Sequence, residues 1–393
     1  VIAAISPRVY LDHAATTPLR PEVMDAMART VAETPGNPSS PHREGRAARK
    51  VLEDARRMVA EALDVPASCV LFTRGGTESD NLAILGRVRA EPRGALVVSA
   101  LEHSAVREPA LRLGQEGRRV VILPVRSDGV PDPQALVAAL EAAPAPALLS
   151  VQAVNSETGL ILELDPVLDR AATRGVPVHV DAVQALGRIP LPTSAALLTL
   201  SAHKVGGPRG MGVLVRDPAV GLCPLLFGGA QEGGLRPGTE DVAGAVGCAL
   251  AIRLAVEERA TEAPRLEALR TWLETSLVEG VPGLRVHGVE GRRAPHILNV
   301  GLAGIPRDVL PGALDLEGVA ASAGSACRSG STDPSPVLAA LYGAEGAGVA
   351  PVRFSLGRTT TRGELEAARP RILQVLHRVR TGFTGAAAPP EHP

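Results

Sequence analysis

Ala195-Ala196-Leu197-Leu198-Thr199-Leu200-Ser201-Ala202-His203-Lys204-Val205-Gly206-Gly207 joins a short apolar run to a glycine-rich turn. The run has the length and composition of a buried strand. The turn carries a lysine, and lysine is nearly absent from the chain. Lys50 and Lys204 are its two lysines, so 39 of its 41 Lys plus Arg residues (41 − 2) are arginine. Arginine serves for almost every surface cation, but its guanidinium stays protonated and cannot condense with a carbonyl. An amine at the end of a strand is what a carbonyl cofactor such as pyridoxal phosphate requires. The alternative is a solvated cation, and Lys50 fits it. In Gly45 to Leu63, residues Ala48, Val51, Leu52, Ala55, Val59, Ala62 and Leu63 recur at helical spacing, and Lys50 falls on the other face with Arg46, Glu53 and Arg57.

Outward from this strand, apolar runs alternate with helical patterns. Strands are expected at Val70 to Thr73, Ala95 to Ser99, Val120 to Leu123, Ala147 to Val151, Val176 to Val180, Ala196 to Leu200 and Met211 to Val215. Helices are expected between them at Glu78 to Val88, Ser104 to Leu113, Pro133 to Leu140 and Pro166 to Thr173. This alternation predicts an α/β domain built on a mostly parallel sheet. A long helical pattern over Asp241 to Val278 follows, and then the rhythm changes. Strands at His296 to Val300 and Val352 to Ser355, with helices at Pro336 to Leu341 and Arg362 to Val379, predict a smaller α+β domain. The expected division is a large domain over 15–260, a small domain from 1–14 and 261–384, and a disordered Pro-rich tail over 385–393.

Bulk properties narrow the function classes. With 393 residues the chain is long enough for two domains, and its net charge of −1 points to neither nucleic acid nor an anionic membrane. Its apolar runs are too short to span a bilayer, and no signal peptide is read at Val1 to Val9. Cys69, Cys223, Cys248 and Cys327 are scattered and form no C-x-x-C pair, so neither a zinc site nor a disulfide framework is expected. A reducing cytoplasm suits this pattern.

Several stretches carry possible chemistry. Thr73-Arg74-Gly75-Gly76-Thr77-Glu78-Ser79-Asp80-Asn81 runs from strand through a glycine turn into a helix, where backbone N–H groups and the Thr77 hydroxyl would cradle an anion. Asp181, with Gln184 close behind, stands at the carboxyl end of a strand. It reads either as the partner of a pyridinium nitrogen or as a helix cap. Glu102-His103-Ser104 also follows a strand, and His103 reads as a stacking or proton-moving imidazole or as a loop histidine. Cys327 sits in a small-residue, Gly/Ser-rich run, Ala320 to Ser331, beside Arg328. That context favours a reactive, mobile thiol over a core cysteine. Arg353 on a strand would clamp a carboxylate, and Asn155 would add a donor.

Taken in order, Tyr10 to Pro18, Gly36 to Ser40, Thr73 to Asn81, His103, Asn155, Asp181 with Gln184, Ser201 to Lys204, Arg236-Pro237-Gly238-Thr239 and Ser325-Ala326-Cys327 resemble the cysteine desulfurases of the NifS/IscS type. The resemblance runs from about residue 9 to about residue 380 and is to the branch with a long mobile cysteine loop. It implies a pyridoxal-phosphate-dependent transferase fold of the aspartate-aminotransferase type, in a homodimer. It implies that Lys204 carries the cofactor, that Gly76, Thr77, Ser201 and His203 bind its phosphate, and that Thr239 joins them from the second subunit. Asp181 would face the ring nitrogen, Gln184 the ring hydroxyl, and His103 the ring face, while Asn155 and Arg353 would hold the substrate carboxylate. Cys327 would take sulfur from L-cysteine as a persulfide and pass it to an acceptor protein, for iron–sulfur cluster assembly or tRNA thiolation. Two alternatives stand beside this. One is another class V enzyme, such as an aminotransferase, a kynureninase-like lyase or a selenocysteine lyase, and the other is a sulfur-trafficking scaffold without turnover.

Overall fold

The computed structural model describes residues 8–324 and 335–384. Cys327, Arg328 and the tail 385–393 lie outside the described residues. The chain opens with β1 (Val9–Tyr10), α1 (Pro21–Glu33) and α2 (Arg43–Leu63). It continues through β2 (Val70–Thr73), α3 (Gly76–Asn81), α4 (Arg87–Ala90), β3 (Leu96–Ser99), α5 (Ser104–Gln115) and β4 (Val120–Leu123). Next come α6 (Pro133–Leu140), β5 (Leu148–Gln152), α7 (Asp165–Thr173), β6 (Val178–Asp181), β7 (Leu197–Ser201) and β8 (Gly212–Arg216). A long helix, α8 (Val242–Gly280), leads to β9 (Arg285–Val286), β10 (Ile297–Ala303), α9 (Val309–Leu316) and β11 (Val319–Ala320). The described chain ends with α10 (Pro336–Ala347), β12 (Val349–Ser355) and α11 (Arg362–Thr384).

Seven strands form the main sheet in the order β2-β8-β7-β6-β5-β3-β4. The β7-β6-β5-β3-β4 block pairs in parallel, and β8 runs antiparallel to both β7 and β2. The expected mostly parallel sheet is therefore present. Successive side chains serve opposite faces. Val97, Leu149, Val151 and Leu198 enter one core, while Leu96, Val98, Leu148 and Leu197 enter a second on the other side. A sheet covered on both faces reads as continuous apolar runs, which is why its strands were visible in the sequence.

The smaller unit has its own core, built from β10, β12, α9, α11 and the second half of α8. Helix α8 serves both units. Ala245, Cys248, Ile252 and Ala255 enter the main core, and Leu266, Leu269, Leu273 and Leu277 enter the smaller one. Near the start of the described chain, β1 pairs in parallel with β11, and Asp12 bridges to Ser355. The helix expected over 78–88 is α3 and α4 joined by a π-turn over Leu82–Gly86. Lys50 occupies the surface of α2, ion-paired to Asp54 at 2.7 Å.

Candidate active site

In a parallel sheet the carboxyl ends of the strands, and the point where strand order reverses, collect ligands. Here β3 lies between β4 and β5, so the strand order reverses after β4, and residues at the carboxyl ends of β3, β5, β6 and β7 line one cavity. A cavity of about 830 Å³ lies there, lined by Gly76, Thr77, His103, Asp181, Gln184, Ser201, His203, Lys204 and Arg353. Nearly all of the residues expected to bind a cofactor or substrate are thus brought together from β2, β3, β6, β7 and β12.

Lys204 sits on the 3₁₀ turn Ala202–Val205, directly after β7. Its Nζ donates to the carbonyls of Ala14 at 2.8 Å and Ala15 at 2.9 Å. The same N-terminal segment is fastened to the turn by Thr17, whose N–H meets His203 O at 2.9 Å and whose hydroxyl meets Lys204 O at 3.1 Å. His203 Nδ1 lies 3.1 Å from Thr16 Oγ1. Burial, then the charges of Lys204 and Arg209, lowers its pKa to about 4, so it is neutral near pH 7.

Opposite the lysine stands a group of buried acids. Asp181 closes β6, and its Oδ1 accepts the Val183 N–H at 2.9 Å, so the carboxylate also caps the turn that follows. Asp80 on α3 is 1% exposed, and its Oδ1 has no hydrogen-bond partner. Polar atoms of Asp80, His103 and Asp181 lie within 4.8 Å of one another. Burial, then repulsion from Asp80, raises Asp181 to about 6. Glu102 is also buried and is raised well above the usual carboxylate range, chiefly by burial and then by Asp181. His103 caps α5, its Nδ1 accepting the Ala105 N–H at 3.2 Å, so the neutral ring keeps its proton on Nε2.

The glycine turn has the form expected of an anion cradle. Gly75, at φ 117°, caps α3 in a conformation that disfavours a side chain, and a Cβ on Gly76 would stand 3.0 Å from Val183 Cγ2. Thr73 Oγ1 and Ser79 Oγ tie the two ends of the turn together at 2.7 Å.

Arg353 enters from β12 with 2% exposure. Its Nη2 donates to Asp12 Oδ1 at 2.8 Å, and its Nη1 to Ser156 O at 2.7 Å and Gly324 O at 2.9 Å. Gln184 reaches Ala14 O at 2.9 Å and accepts from His296 Nε2 at 3.2 Å.

Two expected residues lie elsewhere. Asn155 is buried behind the wall: its Oδ1 accepts from Glu157 N, Thr158 N and Thr158 Oγ1, and its Nδ2 donates to Leu101 O. Thr239 is exposed and does not line the cavity of its own chain. Cys327 is outside the described residues. The cavity also holds residues that the sequence reading assigned no role, namely Asp80, Glu102 and Glu157. Asp80 and Glu102 lie within stretches already singled out, but a carboxylate in a turn or at a helix start reads as a surface charge until its burial is known.

The fold and this lysine-bearing cavity define a class V aminotransferase: the profile of that family, described as Aminotransferase class-V, matches residues 9–368, and the chain belongs to it. Within the family it stands with the cysteine desulfurases. The cysteine desulfurase IscS of Dictyoglomus turgidum is 38% identical over 378 residues, covering 95% of each protein. A solved NifS-like protein superposes with a TM-score of 0.84 at 31% identity, over 94% of this chain and 99% of that one. The structure described as SspA in complex with cysteine superposes with a TM-score of 0.75 at 29% identity, over 90% and 99%.

The family depends on pyridoxal phosphate, and the residues present fit that group. The cavity offers an amine at Lys204 and an anion cradle at Gly76 and Thr77. The buried Asp181 carboxylate, which also lines it, suits the cationic nitrogen of a pyridinium ring.

Proposed function

We propose that this chain is a cysteine desulfurase that converts L-cysteine to L-alanine and takes the sulfur onto Cys327 as a persulfide. The observation that carries this reading is a single cavity lined by the Lys204 amine, the buried Asp181 carboxylate and the buried Arg353 guanidinium. An amino acid has a carboxylate for Arg353, and its α-carbon then faces the amine.

Gly76, Thr77, Ser201 and His203 would hold the cofactor phosphate, and neutral His203 is suited to donate a hydrogen bond there. Asp181 would keep a proton on the ring nitrogen, with His103 against the ring face and Gln184 at its hydroxyl side. When bound, pyridoxal phosphate supplies the electron sink that acidifies the α-carbon of an attached amino acid. Lys204 takes that proton and returns one to the carbon skeleton. Arg353 binds the α-carboxylate in two-point fashion.

The Cys327 thiolate then attacks the substrate sulfur. An S–S bond forms, the Cβ–S bond breaks, and its electron pair stays with carbon. The three-carbon fragment takes up one of the two thiol protons at Cβ and leaves as alanine, and the other proton stays with the persulfide. One thiol and one cysteine thus give one persulfide and one alanine; both sulfurs are oxidised, Cβ is reduced, and no external oxidant is needed.

The remaining features of the reading are a homodimer in which Thr239 completes the partner's phosphate site, a cytoplasmic location, and onward transfer to an iron–sulfur scaffold or tRNA-thiolation protein. The exposed position of Thr239, away from the cavity of its own chain, supports the first. Among the described residues no helix is long and apolar enough to cross a membrane. The test is alanine formation from L-cysteine. Cys327→Ala should abolish it and leave cofactor absorbance intact, whereas an aminotransferase or another class V lyase would keep its turnover in that variant.

A further inference from the structure

Glu157 touches both chain positions that flank residues 325–334. Ser335 Oγ donates to Glu157 Oε2 at 2.6 Å while accepting the Leu338 N–H at 3.1 Å, so one hydroxyl starts α10 and binds the acid. On the other side Gly324, at φ +100°, packs against Glu157 closely enough that a Cβ there would stand 3.2 Å from Glu157 Cβ and Cγ. Glu157 itself is fixed at both backbone ends. Its N–H donates to Asn155 Oδ1 at 3.0 Å, and its carbonyl accepts from Asn299 Nδ2 at 2.9 Å. It is 4% exposed and lines the cavity beside Arg353. Arg353 also holds Gly324 O, and its backbone N–H and C=O pair with Ser322.

We infer that Glu157 is a positioning residue for sulfur transfer, holding Gly324 and Ser335, the two positions that bracket the Cys327 segment in sequence, at the cavity wall. The inference rests on the desulfurase reading and adds a residue to it. An acid whose only task was to keep its own loop folded would need neither partner. The backbone bonds of Glu157 already do that, and its carboxylate is spent on Ser335. Burial raises the Glu157 carboxyl, while the Ser335 hydrogen bond and the charges of Arg307, Arg353 and Arg107 oppose the rise.

The test is single-turnover kinetics of the cofactor-loaded enzyme with L-cysteine, following the absorbance change on substrate binding and, separately, persulfide on Cys327 by intact mass. Glu157→Gln keeps the shape, and Ser335→Ala removes the donor. Both are expected to leave cysteine affinity and the thermal midpoint within about 2-fold and a few degrees, and to slow persulfide formation by about 10-fold or more. The double variant should be no slower than the slower single variant, because the two side chains act through one contact. Unchanged persulfide rates in both single variants would overturn the inference. So would a parallel loss of cysteine affinity and thermal stability, which would make Glu157 a residue of the fold. Wild-type enzyme that forms neither alanine nor persulfide would instead defeat the desulfurase reading, whatever the variants do.

Discussion

Asp80 and Asp181 are buried acids whose carboxylates, with His103, lie within 4.8 Å of one another. Their proximity helps burial raise Asp181 from 3.8 to about 6. The folded protein thus holds the Asp181 proton to a higher pH than the unfolded chain does. The stability from this group is fully present below about pH 4 and is lost as pH rises through about 6. Asp80→Asn removes the repulsion, so the cofactor-free variant should gain stability relative to wild type across that window, by about 1 kcal/mol at its upper end. Urea midpoints of both proteins from pH 4 to pH 7 check this, and a constant difference would show that Asp80 does not act on Asp181.

Lys204→Arg keeps the charge and can still donate to Ala14 O and Ala15 O, the two carbonyls that hold Nζ. It cannot supply an amine base. Alanine formation should fall by about 10³-fold or more, with little change in thermal midpoint. Steady-state assay beside thermal unfolding separates the chemical from the structural role.

Gly212 on β8 lies against the turn entering α3: a Cβ there would sit 2.6 Å from the carbonyl carbon of Gly75 and 2.8 Å from its Cα. These are backbone atoms that no rotamer change can move aside. Gly212→Ala should cost about 1–3 kcal/mol of stability and weaken pyridoxal phosphate binding, since the displaced turn is the anion cradle. Urea unfolding and cofactor titration of the same preparation measure both effects.

Arg353→Lys replaces a fork that holds Asp12, Ser156 O and Gly324 O with a single ammonium. The KM for L-cysteine should rise about 10–100-fold, the range for losing one or two charge-assisted hydrogen bonds, with a smaller effect on kcat. Initial rates over a range of cysteine concentrations distinguish this from a general loss of activity.

The sheet was legible because β3, β5, β6 and β7 are buried on both faces and are mostly apolar, with buried polar residues such as Ser150, His179 and Thr199 as single interruptions. Helix α1 was not, because Val23 is its one buried residue and no apolar stripe marks it. The two-residue strands β1 and β11 exist through each other, across more than 300 residues of chain, and carry no local signal. At the site, Lys204 was conspicuous by rarity and Asp181 by its strand. Asp80 was hidden because an acid in the first turns of a helix is ordinary, and its burial depends on packing that the sequence does not display. Asn155 was read as a donor from its place in the sequence alone; its Nδ2 donates to Leu101 O, while its oxygen accepts from its own loop.

The two lysines differ in everything that governs chemical modification. Lys50 is 74% exposed at its side chain and paired only with its helical neighbour Asp54, whereas Lys204 is part-buried and bound to two carbonyls inside the cavity. An amine-selective reagent therefore meets one permanently accessible side-chain amine and one whose access is governed by the cavity's contents. Lys50 can serve as the internal standard for occupancy at Lys204, so the fraction of cofactor-loaded enzyme is readable as a ratio of two labelled peptides.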